Sequence, residues 1–267
     1  MIEVPSLDGW FPSGVPGPAA LAEHVKATGN GQWWADRAVG PRAVAVACAD
    51  HVLLEGDPRY VDPDALAALG HDGYVLARTR FLPVLGAAFD RIVPWERMIW
   101  VQSRPVPRRL PPRDVVVRRL APGDGAAVAG AGDDAAWITR SWGGAHGLAA
   151  SGHAWGAFRS GRLVSLACTY FLGGVYEDLA VVTLRGHRRE GLALACLSGL
   201  CGDVAARGRT PSWTCSRGNR PSRRLAWTAG FRLFGEYVHY GVGRPRGGGP
   251  PGGAGGVGGG LGAVSGV

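Results

Sequence analysis

Lysine is almost absent from this chain: Lys26 is the only one in 267 residues, so 28 of the 29 Lys and Arg side chains are arginines. The formal net charge is +8. A planar, always-charged guanidinium suits phosphate wherever it is correctly placed, in a small cofactor as much as in nucleic acid, so the sign of the charge does not select a partner. The arginines are scattered and come with no RNP-like aromatic pair or recognition-helix pattern, which argues against specific nucleic-acid binding. Cysteine is also scarce. Cys48, Cys168, Cys196, Cys201 and Cys215 form no C-x-x-C pair and are odd in number. Neither a disulfide framework nor a zinc knuckle is expected, and a reducing cytoplasm is the expected location. No stretch approaches about eighteen consecutive apolar residues, and residues 1–14 lack the basic-then-apolar order of a secretory signal. Membrane association and export are therefore not expected.

What is present is enough apolar residue, 46% against 19% charged, to build a core. Two composition shifts divide the chain. Residues 104–113, RPVPRRLPPR, hold four prolines and four arginines and read as an exposed linker. Residues 241–267 are Gly/Pro-rich with no periodic apolar face, and read as a disordered tail. Between these lie a first unit, residues 1–103, and a second, residues 114–240, each of ordinary domain size.

In the first unit the patterning predicts helices over 18–27 and 62–69 and strands over 43–48, 51–55 and 98–103. Trp33 and Trp34 read as core aromatics or as the lining of a pocket. The second unit predicts strands over 115–120, 154–158 and 163–171, the last two joined by the hairpin turn Arg159-Ser160-Gly161-Arg162. One or two helices are predicted over 133–150, a strand over 175–184 and a helix over 191–207. Strand 212–216, helix 221–229 and strand 231–240 complete a mixed central sheet flanked by helices. The fold class is α/β (α+β), with a smaller α+β domain at the N-terminus.

The informative segment is VVTLRGHRREGLALA, residues 181–195: a strand, a basic loop and a helix start. A helix N-terminus carries unpaired N–H groups and partial positive charge, and so seats an anion. Gly191 lets the backbone approach closely, and Arg188 and Arg189 can add charge-assisted bonds.

Arg188-x-x-Gly191-x-Ala193 after an apolar strand resembles the pyrophosphate loop of the GNAT superfamily, the acetyl-CoA-dependent N-acetyltransferases. Asn219, Ser222, Leu225 and Gly230-Phe231 resemble the segment that closes the same fold. Ser141-Trp142, Ser151-Gly152-His153-Ala154-Trp155 and Trp213-Thr214-Cys215 resemble a bacterial subgroup with an extra N-terminal domain. The resemblance covers about half the chain. It implies that acetyl-CoA is the co-substrate, with the main chain of Val181, Val182 and Thr183 meeting the pantetheine arm. Arg188, Arg189, Glu190, Gly191, Leu192 and Ala193 would hold the pyrophosphate, with Asn219 and Ser222 nearby. It implies no metal and no protein nucleophile, so Cys196 and Cys201 read as core residues. The implied activity is transfer of an acetyl or other short acyl group to an amine acceptor, a small molecule or peptide. A non-catalytic acyl-CoA sensor or scaffold is the alternative.

The general base implied by the resemblance is Glu177, eleven residues before Arg188; by its residue type alone it reads equally as a solvated strand-end carboxylate. Asp178 points to the opposite face, and His146 and His153 are further possibilities. The tyrosine that often follows the closing leucine is replaced by Ala226, which leaves Tyr237, Tyr240 or water to protonate the leaving thiolate. The acceptor, the oligomeric state and the role of the first unit stay open.

Overall fold

The computed structural model describes residues 1–69 and 73–243. The strands are β1 (Ile2–Val4), β2 (Gln32–Ala35), β3 (Ala43–Cys48), β4 (His51–Gly56), β5 (Tyr74–Leu76), β6 (Ile92–Gln102), β7 (Val115–Arg119), β8 (Ala154–Arg159), β9 (Arg162–Leu172), β10 (Tyr176–Thr183), β11 (Thr210–Ser216) and β12 (Phe231–Val242). The helices are α1 (Ala20–Thr28), α2 (Pro63–Leu69), α3 (Leu82–Ala88), α4 (Gly125–Ala129), α5 (Asp133–Ala136), α6 (Ala145–Ala150), α7 (Leu192–Ala206) and α8 (Arg220–Thr228). None is long and apolar enough to cross a membrane among the described residues.

All twelve strands form one sheet, in the order β1-β2-β3-β4-β5-β12-β6-β11-β10-β9-β8-β7. That order reads as two halves facing each other. β1 to β6 and β7 to β12 repeat the same sequence of strands, each half with one parallel pair, β4 with β5 and β10 with β11. A parallel pair needs a crossover, and α2 and α7 lie in those connections. The last strands are exchanged: β6 lies between β11 and β12, while β12 pairs with β5. Residues 104–113 thus separate two stretches of chain whose strands share one sheet.

Three apolar clusters hold the layers. The α7 and α8 side chains pack with β10, β11 and β6 around Leu197, Leu200, Trp213 and Phe231. The α2 and α3 residues cover β3 to β5 and the end of β12 on the same face. On the other face α1 joins the α4 to α6 region in a cluster running from Val46 to Leu166. Helix α1 packs on β9 as well as β3, and His24 ties it there: Nε2 donates to the Ser141 carbonyl at 2.7 Å, and Nδ1 accepts from the Leu172 N–H at 3.1 Å. Burial lowers the His24 pKa, and these two partners require the neutral Nε2–H form.

Several elements differ from expectation. The strand expected over 98–103 is the end of eleven residues, Ile92–Gln102. β1, β2, β5 and α3 were not expected, since three- and four-residue strands carry too few positions for a period to show. The Trp33-Trp34 pair forms part of β2, Trp33 buried beside α1 and Trp34 against the opposite cluster. The expected hairpin turn has positive φ at both Ser160 and Gly161, as a two-residue turn between twisted strands requires. The tail was expected from 241, but Gly241 and Val242 belong to β12, and Val242 is buried. Residues 244–267 lie outside the described residues. All five cysteines are free and buried, Cys196 and Cys201 in the α7 core.

Candidate active site

The parallel ladder between β10 and β11 runs from Tyr176↔Thr210 to Leu179↔Trp213 and ends there. β11 continues along β6 as far as Ser216↔Arg97, so residues 180–183 lose their neighbour and a cleft passes through the sheet. Leu179, Val181, Trp213 and Cys215 line it on the α7 side, with Asn219 and Ser222 at the start of α8. Asp178, Ala180, Thr214, Ser216, Arg97, Tyr237 and His239 line it on the opposite face. The N-terminal half closes that face with Asp50, His51, Tyr74 and Trp95.

Helix α7 begins at the α7-side mouth. Gly191 precedes it in the left-handed region, φ 80°, with no side chain capping the helix. A side chain placed there would meet nothing within 4 Å. An uncapped helix start beside open space is a suitable seat for an anion. Arg188 and Arg189 are exposed beside it, and Arg188 Nε also reaches back to the Thr183 carbonyl at 3.1 Å. Glu190 turns away to pair with Arg159 at 2.6 Å. Leu192 is a core residue, leaving its backbone for the mouth, and Ala193 is half-buried beside it. Val181 and Val182 bury their side chains on opposite faces, and Thr183 Oγ1 meets Ser165 Oγ at 2.8 Å, while the β11-side main-chain edge of these three residues runs along the gap. Asn219 caps α8 through the Ser222 N–H at 3.1 Å, and Ser222 Oγ accepts from Trp213 Nε1 at 3.1 Å.

Glu177 and Asp178 sit in opposite environments. Glu177 is wholly buried and does not line the cleft. Arg207 donates to both its oxygens, at 2.9 and 2.8 Å, Arg209 donates at 3.2 Å and the Thr169 hydroxyl completes the set. Burial alone would raise this carboxyl. The hydrogen bonds around it and the Arg207 charge outweigh burial and hold it far below the ordinary range. It has neither free lone pairs nor basicity to spare, which does not suit the role of base expected of Glu177. Alternation along β10 puts Asp178 in the cleft instead. Its partners are neutral, the Ser212 hydroxyl at 3.1 Å and the Thr214 hydroxyl at 3.0 Å. Burial pushes its pKa up to about 6, tempered by these hydroxyls and by the Arg97 charge.

The remaining candidates divide. His146 and His153 do not line the cleft; His153 stacks on Trp142 with centroids 5.2 Å apart, and its Nδ1 is 3.7 Å from Glu177, too far for a hydrogen bond. Tyr240 packs in the α2 and α3 cluster and Ala226 in the α7 core. Tyr237 does face the cleft, its hydroxyl accepting from Arg97 Nε at 3.0 Å. Burial raises its pKa, so the phenol keeps its proton at neutral pH. Arg97, His51, Tyr74, Trp95 and His239 were not expected, because they reach the cleft only through the exchange of β6 and β12 between the halves. Among the described residues no group of three or more His, Cys, Asp or Glu could hold a metal ion.

These features have relatives. Residues 135–240 match the family model described as GNAT acetyltransferase. An uncharacterised N-acetyltransferase of Streptomyces virginiae is 57% identical over 205 residues, 76% of this chain and 86% of that one. A GCN5-related N-acetyltransferase-like protein from Streptococcus suis shares the fold with a TM-score of 0.67 at 17% identity, over 86% of this chain and 94% of that one. A tandem GNAT protein from the clavulanic acid biosynthesis pathway gives 0.56 at 12% identity, over 86% and 89%. With the split between β10 and β11, the glycine-led α7 and a close relative spanning most of both chains, this chain belongs to the GNAT family of N-acetyltransferases.

Proposed function

We propose that the protein transfers an acetyl group from acetyl-CoA to an amine, with Asp178 as the general base. The single observation that carries this reading is the position of Asp178: a buried carboxylate with only neutral partners, beside the strand edge freed by the split. The residues around the split fit the co-substrate, with an uncapped helix start for a pyrophosphate and an unpaired β10 edge for an extended amide-bearing arm. Bound acetyl-CoA supplies the acyl group already activated as a thioester.

Asp178 accepts the proton as the amine nitrogen attacks the thioester carbon. A main-chain N–H of the free β10 edge stabilises the oxyanion of the tetrahedral intermediate. The C–S bond then breaks, and Tyr237 protonates the departing thiolate while Arg97 steadies the phenolate. The phenol is restored from solvent. Five buried free thiols fit a reducing cytoplasm.

The test is release of free CoA thiol from acetyl-CoA across a panel of primary amines. Amine-dependent release is expected. CoA binding with no release over the whole panel would leave a module that holds acyl-CoA without turning it over, and would end the enzymatic reading.

A further inference from the structure

Resting on that reading, we propose that the acceptor is an amino acid with a free carboxylate, read by Arg97, and a flat side chain, laid on the aromatic shelf of the N-terminal half. Four charged groups line or rim the acceptor side of the cleft. Asp50 and Arg140 pair with each other and cancel. Arg97 and Asp178 do not cancel. Among the described residues Arg97 forms no ion pair; its neighbours are the Tyr237 hydroxyl and the Trp95 ring, whose centroid lies 4.4 Å from the guanidinium carbon. Asp178 is likewise held only by hydroxyls. Among the described residues the cleft therefore offers one cation and one anion that form no ion pair, on the same face of the sheet. A molecule carrying both an amine and a carboxylate neutralises both at once, and a guanidinium fork takes a carboxylate with two bonds.

The rest of that wall is flat and uncharged. Trp95 and Tyr74 lie 4.9 Å apart, His51 stacks on Tyr74 at 5.5 Å, and His239 follows at 5.2 Å from His51. His239 is buried and His51 half-buried. Burial, with the nearby arginines, brings His51 to about 3 and lowers His239 well below its ordinary value, so both are neutral. Among the described residues His51 Nδ1 and both ring nitrogens of His239 have no hydrogen-bond partner. Buried polar atoms are ordinarily satisfied, and these lie in side chains that line the cleft. They suit a polar atom on a planar side chain, such as an indole or imidazole N–H. On this account the N-terminal half, with β6, is the acceptor-binding half of the enzyme.

The test compares L-tryptophan with L-tryptophanamide as acceptors, with L-alanine as a control for the flat side chain. The amide's amine is the weaker base and is more often unprotonated at neutral pH, so intrinsic reactivity favours the amide. We expect the acid to be preferred in kcat/KM by about tenfold or more. Arg97→Gln should abolish the preference for the acid through KM of the acid, and Arg97→Lys should restore part of it. With the wild-type protein alone, 3-indolepropionate should inhibit competitively with the acceptor and 3-indolepropionamide should not. Equal use of acid and amide, an equal loss of both in Arg97→Gln, or inhibition by both indole compounds alike would overturn the inference. So would L-alanine matching L-tryptophan, or no acetylation of L-tryptophan by a protein that binds CoA and acetylates other amines. Failure to bind CoA would instead remove the underlying reading.

Discussion

Asp178→Asn is expected to lower turnover by about 10²- to 10⁴-fold, the usual worth of a general base, and at the same time to make the protein more stable at neutral pH. Both effects come from one environment. Burial among neutral partners raises the Asp178 pKa to about 6, close enough to neutrality for an effective base yet still ionised in most molecules at pH 7. The wild-type kcat/KM should fall on the acid side with a midpoint near pH 6, and the residual rate of the variant should lack that limb. The stability effect has a definite sign. Between the unfolded value of about 3.9 and the folded value near 6 the native state holds the proton more tightly, so stability falls as pH rises through that window. Asparagine keeps the shape and removes the buried charge, a gain of roughly 2–3 kcal/mol at neutral pH. An inactive variant with a higher melting temperature meets the expectation; an active one returns the proton to water, and an unstable one makes Asp178 structural.

Glu177→Gln should do the reverse. The carboxylate anchors the C-terminal end of α7 through Arg207 and the start of β11 through Arg209. Losing it leaves two guanidiniums facing a neutral amide. A fully buried pair broken on one side costs about 3–5 kcal/mol. Here both arginine side chains keep 27% exposure and can draw on water, which reduces the expected cost to about 2–3 kcal/mol and several degrees of melting temperature. Because the folded pKa is depressed, this contribution is present above the unfolded value of about 4.3 and disappears as pH falls below it. The wild-type and variant unfolding curves should therefore converge in acid. Turnover should fall far less than in Asp178→Asn. A turnover loss as large, with the melting temperature unchanged, would restore Glu177 as the base.

The contrast between these neighbours marks how far the sequence could be read. Strand β10 and its distance to the glycine-led helix follow from local pattern, and so did the loop from Arg188 to Ala193. The choice between positions 177 and 178 did not, because both faces of β10 are buried and hydropathy cannot tell a core face from a cleft face. What decides it is Arg207 and Arg209, thirty and thirty-two residues on. The internal repeat was hidden for a related reason. The crossover helix is seven residues in the first half and fifteen in the second, and the exchange of β6 and β12 rests on pairings such as Arg97 with Tyr237 that no local period encodes. Arg97, His51 and His239 looked like ordinary strand residues for that reason.

Calorimetric titration with CoA tests the central claim most directly. One site of micromolar affinity is expected in the wild-type chain. Gly191→Asp should weaken it by about tenfold or more, since the new carboxylate stands in open space at the helix start that would receive the pyrophosphate, in a left-handed conformation that aspartate tolerates better than most residues. No binding by the wild type, or the same affinity in a folded Gly191→Asp variant, would contradict the account.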